Sequence, residues 1–175
     1  NSFNVAIGSS AGQQVTTGVQ NTLIGGLAGD ALTDADFNVA VGYAALSSDT
    51  LGSRSIAIGR SALQTQNFTS ATDAYNVGIG HGAGSGVTTG TQNTFIGGLA
   101  GDATTTGLNN TALGYLSLSA NTTGASNVAI GVAAGDSNTT GTNNVGVGVN
   151  SLGTNTTASN NTAVGHEALK LNTTG

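Results

Sequence analysis

The chain has 175 residues, 29 of them Gly and none Pro, Cys, Met or Trp, with three Lys/Arg against eight Asp/Glu and a net charge of −5. Without Cys there is no disulfide framework, thiolate metal site or cysteine nucleophile, and Arg54, Arg60 and Lys170 are too few to form the basic stripe that nucleic-acid binding requires. Aromatic residues at 4% give too little bulk for a thick globular core or a conventional enzyme fold, and no apolar run approaches the ~18 residues of a membrane span.

Val and Ile recur at fixed intervals, which opposes disorder. With Asn4 of Asn4-Val5-Ala6-Ile7-Gly8 as position zero, the same pentad starts again at Asn21, Asn38, Ser55, Asn76, Asn93, Asn110, Asn127, Asn144 and Asn161. These starts define ten units, here coils 1 to 10, with eight of the nine spacings equal to 17 residues. The ninth, Ser55 to Asn76, is 21 and predicts an insertion near residues 67–75. A fixed period of this length is the signature of a stacked repeat architecture. The segment from Gln20 to Ala31 matches that from Gln92 to Ala103 apart from Leu23 against Phe95, so a block of four units has been duplicated.

Within each unit the positions read in order. Position +1 is always β-branched and position +3 always aliphatic, a strand signal in which both point to one face, with the +3 side chains expected in the core. Position +2 is Ala or Gly except at Leu23 and Phe95, and so reads as a small face that something approaches closely. Gly at +4 in all ten units predicts a corner with positive φ, or a backbone approach that a Cβ would block. Ala or Ser at +7 and Leu or Gly at +8 read as a second short strand. Thr-Thr-Gly, as in Thr16-Thr17-Gly18, supplies the return turn.

The predicted fold is therefore all-β: a parallel β-solenoid (β-roll) of about ten coils of 17 residues with two short strands per coil, one domain over 1–175 belonging to a longer fibrous protein. The Asn at position zero is expected to stack as a ladder of amides. A core this thin predicts a homo-oligomer, with the +2 face or the +1 column at the inter-chain contacts.

Asn4-Val5-Ala6-Ile7-Gly8 with Ala11, Ser55-Ile56-Ala57-Ile58-Gly59 with Ala62, and Asn127-Val128-Ala129-Ile130-Gly131 with Ala134 resemble the head repeats of YadA-type trimeric autotransporter adhesins. Asn161-Thr162-Ala163-Val164-Gly165 and Asn110-Thr111-Ala112-Leu113-Gly114-Tyr115 are similar to repeats of bacteriophage tail fibres and of surface proteins that end in an intramolecular-chaperone domain. The resemblance spans the whole chain and implies a left-handed, trimeric roll. It departs from the adhesin heads in its longer unit and in showing no neck, stalk, anchor or chaperone segment.

Motifs for enzymatic chemistry are missing: there is no phosphate-binding Gly-rich loop ending in Lys-Ser/Thr and no His-Glu-x-x-His. Gly25 to Asp30 and Gly97 to Asp102 lack the glycine spacing and period of calcium-binding nonapeptide rolls. Asp30, Asp34 and Asp36 share one return loop and read as a solvated acidic turn, because Ca²⁺ takes six or more oxygens. His81 and His166 occupy the variable +5 position, expected to face outward, with no triad or ligand partner nearby in sequence. Seven N-x-S/T sequons, among them Asn121, Asn138 and Asn155, arise from the Asn- and Thr-rich turns and read as compositional. No catalytic residue, cofactor or metal is expected.

The expected function is a non-enzymatic structural or adhesive fibre segment, extracellular on a bacterial surface or a phage virion. Its expected partners are copies of itself, most simply a trimer, and a host receptor or glycan. The alternative is a binding solenoid that recognises ice or a polysaccharide. The rare aromatic and basic residues give a candidate contact patch: Tyr43, Arg60 and His81 at +5 of successive coils, with Phe68 and Tyr75 from the insertion.

Overall fold

The computed structural model describes residues 2–174, and the described residues contain no helix. The strands in chain order are β1 (Val5–Ile7), β2 (Thr22–Ile24), β3 (Val39–Val41), β4 (Gly52–Ser53), β5 (Ile56–Ile58), β6 (Thr72–Asp73), β7 (Val77–Ile79), β8 (Thr94–Ile96), β9 (Thr111–Leu113), β10 (Val128–Ile130), β11 (Val145–Val147) and β12 (Thr162–Val164). Ten of them, all but β4 and β6, pair in parallel in chain order into one sheet, each residue opposite the same position of the next unit. The chain is thus a parallel β-solenoid. At the usual strand separation its ten coils extend over roughly 50 Å.

Each coil contributes one three-residue strand to this sheet, where the sequence suggested two per coil. The segment around +7 and +8 is a succession of tight turns, because left-handed residues interrupt any extended run. Positive φ recurs in every coil at the residue before the Asn and at +4, +6 and +8. Three of these positions lie between 48° and 65°, inside the left-handed α basin, and accept Leu, Asn, Ser or even Arg54. The +4 glycines stand apart at 127° to 138°, beyond that basin, where only Gly is at ease. They are also crowded: a Cβ on Gly8 would come within 2.5 Å of the Gly25 carbonyl oxygen of the next coil. Both expected reasons for invariant glycine act at the same corner. The turns still stack through the rod, as in Gly12 N–H to the Ala28 carbonyl (3.0 Å) and Leu27 N–H to that of Ser9 (2.9 Å).

The two faces of the sheet are the reverse of what the sequence suggested. Position +2 is the core: Leu23, Ala40, Ala57, Phe95, Ala112 and Ala129 are buried. The +3 aliphatics point outward with the +1 residues. Ile56 and Ile58 are each 37% exposed and Leu113 44%. The reason is the narrow cross-section, in which +2 meets +7, +8 and +11 across the coil. Between +2 and +8 there is room for one large side chain: where +2 is Leu23 or Phe95, +8 is Gly29 or Gly101, and a Cβ on Gly29 would come within 2.8 Å of Leu23 Cδ2. Where +8 is Leu46, Leu63, Leu118 or Leu152, +2 is Ala or Gly. Since +2 lies inside each coil, it is not free to contact another chain.

Polar groups close the coil. The Oδ1 of each ladder Asn accepts the backbone N–H of the residue one coil on at 2.8–3.0 Å, from Asn21 N–H to Asn4 through to Asn161 N–H to Asn144. Its Nδ2 donates to the carbonyl of the residue fourteen further along its own coil, at 2.7–2.9 Å. The expected Asn ladder thus also ties the two ends of a coil together, and its carboxamides are satisfied although buried.

Candidate functional site

Outward-facing chemistry is set by the sheet. Buried Asn at zero and buried +2 alternate with outward +1 and +3, and the exposed residues before the Asn and at +5 flank them on either side. In coils 3 to 5 these flanking positions hold Phe37, Arg54 and Tyr75 on one side of the strands and Tyr43, Arg60 and His81 on the other.

The structure keeps Tyr43, Arg60 and His81 together. They lie in one column, all exposed, and Arg60 Nη1 is 3.3 Å from His81 Nε2, an arrangement in which the guanidinium donates to the imidazole. Tyr75 does not join them. It sits across the strand, where the Arg54 guanidinium lies over the Phe37 ring at 4.6 Å and the Tyr75 ring at 6.0 Å. Arg54 Nε also pairs with Asp73 at 2.9 Å, a bond between partly exposed groups that adds little stability. The expected five-residue patch is therefore two separate clusters, and Phe68 belongs to neither.

Phe68 is buried, 6% exposed, because the insertion folds back onto the rod. Asn67 still occupies the regular position, its N–H bonding the Thr88 carbonyl, and Thr72 pairs with Gly52 and Asp73 with Ser53, so three of the four extra residues lie between Asn67 and Thr72 and the fourth between Asp73 and Asn76. Buried Asp49 anchors them: its Oδ1 accepts the N–H groups of Gly52 (3.0 Å) and Phe68 (3.1 Å), and its Oδ2 accepts Gln66 Nε2 (2.6 Å). Gln66 in turn donates to Ser55 Oγ at 3.0 Å and accepts Asn76 Nδ2 at 2.9 Å, bridging the one coil where Ser55 replaces the ladder Asn.

Asp49 and Gln66 occupy position +11, which sequence reasoning passed over. In coils 7 to 9 the same position forms a second buried ladder, with Asn138 Nδ2 donating to Asn121 Oδ1 at 2.9 Å and Asn155 Nδ2 to Asn138 Oδ1 at 3.3 Å. The signal was present in the N-x-T triplets at 17-residue spacing. Burial removes Asn121, Asn138 and Asn155 as glycan acceptors in the folded rod. Asp34 and Asp36 accept hydrogen bonds from the Thr17 hydroxyl and the Val19 N–H of the preceding coil, at 2.5 and 2.7 Å, and no group of three carboxylate, His or Cys side chains converges among the described residues. His166 is exposed.

Burial raises the Asp102 and Asp136 carboxyls above the usual carboxylate range, opposed by backbone hydrogen bonds from Asp102 and Ala103 and from Asp136 and Ser137 respectively. Both lie at +9, in separate coils. Compared with family models, curated proteins and solved structures, the chain has no match.

Proposed function

We propose that this chain is a non-enzymatic segment of an extracellular fibre, on a bacterial surface or a virion, that assembles with copies of itself and serves in attachment. The observation that carries this reading is the outer face of the sheet: two columns of β-branched and aliphatic side chains running from coil to coil, with Ile24, Ile56, Ile58 and Leu113 among the large exposed hydrophobics. A contiguous apolar stripe of this kind is costly in water and suits a self-complementary interface. A closed cyclic oligomer covers it on every protomer, and the likeness to trimeric adhesin heads and tail-fibre repeats favours three. The rod's backbone is committed to its own ladders, which suits a spacer or a scaffold for surface side chains better than a catalytic cleft.

Light scattering on a chain carrying its native flanks tests the assembly. A trimer is expected, dissociating when Ile58 and Ile79 are both changed to Lys, and a stable monomer at micromolar concentration overturns it. Incubation with polysaccharides tests the absence of catalysis, since any turnover contradicts a purely structural role.

A second reading has its own support. Thr89, Thr106, Thr123, Thr140 and Thr157 are exposed at one position of five successive coils, a regular hydroxyl and methyl array suited to an ordered surface such as ice. The neighbouring Thr88, Thr105, Thr122 and Thr139 spend their hydroxyl protons on carbonyls of the next coil at 3.0–3.1 Å. An ice-recrystallisation assay separates the two readings: inhibition favours the array, and none favours the fibre.

A further inference from the structure

Position +5 carries an aromatic platform twice. A Cβ on Gly26 would stand 3.4 Å from Tyr43 Cδ2, and one on Gly98 the same distance from Tyr115 Cδ2. Each Tyr ring therefore lies down over the bare backbone of a glycine in the preceding coil, one face against the rod. The rings remain 54% and 53% exposed, so the opposite faces are open. The two platforms differ in their neighbours. Beyond Tyr115 the column continues with Val132 and Val149, whereas beyond Tyr43 it continues with Arg60 and His81, about 4.8 Å apart per coil.

Arg60 is unusual in its charge environment. Among the described residues the ion pairs are Arg54 with Asp73 and Lys170 with Glu167, which leaves Arg60 beside an imidazole nitrogen and no carboxylate. No Asp or Glu occupies positions +3 to +8 of coils 2 to 6. In a chain of net charge −5 this is a local reversal of sign, next to an open aromatic face.

We propose that Tyr43, Arg60 and His81 form a subsite for one carboxylate-bearing sugar residue of an acidic glycan, which deepens the attachment reading above and rests on it. The guanidinium takes the carboxylate, with its planar donors suited to two oxygens at once. The C–H face of the sugar ring rests on Tyr43, and His81 reaches a hydroxyl one coil further on. An acidic peptide fits less well. Extended peptides are captured by open strand edges or deep grooves, and along this column the backbone groups are already bonded from coil to coil, as in Ser61 N–H to the Tyr43 carbonyl and Gly82 N–H to that of Arg60, both at 2.9 Å.

Calorimetric titration of the assembled protein, with an oligosaccharide of alternating glucuronate and N-acetylglucosamine and with a methyl sialoside, tests the subsite. The neutral N-acetylglucosamine oligomer and oligoglutamate serve as comparisons. The expected result is saturable binding of at least one acidic saccharide, weakened by salt and reduced about tenfold or more by Arg60→Gln or Tyr43→Ser. Tyr115→Ser, the same platform without the cation, leaves binding unchanged. Melting curves and oligomer mass, unaltered in the variants, establish that loss of binding is local. Equal affinity for the neutral oligomer, equal displacement by oligoglutamate, no effect of Arg60→Gln, or no binding of either acidic probe at millimolar concentration overturns the proposal. Cell attachment that persists in Arg60→Gln removes this subsite and leaves the fibre reading intact, whereas cleavage of a saccharide removes the fibre reading instead.

Discussion

Coils 2 and 6 are almost identical, from Gln20 to Ala31 and from Gln92 to Ala103, which sets coils 2 to 5 beside coils 6 to 9 as two blocks of four. Both blocks keep the corner glycines, parallel in-register strands and the position-zero ladder, broken only at Ser55. Their later coils have diverged inside and out. The first block places Phe37, Arg54 and Tyr75 before its strands where the second has Asn109, Ser126 and Asn143. It also exchanges the buried Asn ladder at +11 for Asp49, Gln66 and Val87, and carries the insertion. The shared parts are those whose hydrogen bonds or φ angles admit one residue type. The divergent parts are surface positions, or interior positions where another hydrogen-bonding solution exists.

The largest expected effect is common to both blocks. Gly42→Ala would bring a Cβ to 2.6 Å from the Gly59 carbonyl oxygen, and Gly114→Ala meets the Gly131 carbonyl in the same way. Backbone on both sides leaves nothing to yield, so each substitution should cost about 4 kcal/mol or more, or prevent folding. Urea titration is expected to show similar losses, and a tolerant corner in one block breaks the equivalence.

The next effect separates the blocks. Asp49→Ala strands the Gly52 and Phe68 N–H groups and one of the two Gln66 Nε2 hydrogens inside the rod and should cost about 3 kcal/mol. Asn121→Ala, at the same position of the second block, removes one carboxamide from a ladder and should cost about 1–2 kcal/mol. Equal losses in thermal melts mean that the Asp49 network does not hold the insertion.

A single substitution should act with opposite signs in the two blocks. Coil 8 is small at both +2 and +8, Ala129 and Gly135, and an internal cavity lies there between Leu118 and Leu152. Ala129→Val adds two methyl groups to that space and should stabilise by about 1 kcal/mol. In coil 4 Leu63 already fills the cross-section opposite Ala57, so Ala57→Val should destabilise by about 1–2 kcal/mol. Chemical denaturation of the two variants checks the signs.

The smallest effect is in pH. The carboxyl of Asp136 has a folded pKa above its ordinary value, so the folded state takes up the proton first. Stability then falls as pH rises from the unfolded value through the folded one, and the penalty is complete above the latter. Asp136→Gln, the residue that coil 4 has at Gln64, should raise stability at neutral pH by less than about 0.5 kcal/mol after solvent screening. It should also reduce the gain on acidification toward pH about 4. Melting temperatures across that range provide the check, with no difference at any pH as the contrary outcome.

The period, the parallel stacking, the corner glycines and the Asn column were legible because each rests on a constraint repeated coil after coil. Which face is inside was not. Ile58 and Ile130 belong to the most apolar column, and burial of apolar residues is a one-way rule that a thin rod violates. The interior is largely small residues because the space shared by +2 and +8 admits one Leu or Phe. The clue lay in the exchange of size between +2 and +8, visible in Leu23 with Gly29 against Ala40 with Leu46. The candidate patch was half legible: a common position aligns Tyr43, Arg60 and His81, but residues 68–75 obey no repeat, and nothing in the local sequence showed that Phe68 turns inward.

The insertion has a practical consequence. Four extra residues leave the neighbouring strands in step, with Ile56 opposite Val77 and Ile58 opposite Ile79, and the loop re-enters through β6 beside β4. The return corner is therefore a tolerant port in an otherwise rigid lattice. A foreign epitope or reporter loop grafted between Asn67 and Thr72, with Phe68 kept as the plug and Asp49 as its latch, is expected to be displayed at a fixed height on the rod. A sequence of the same size spliced into the strand side would put that coil out of register with its neighbours.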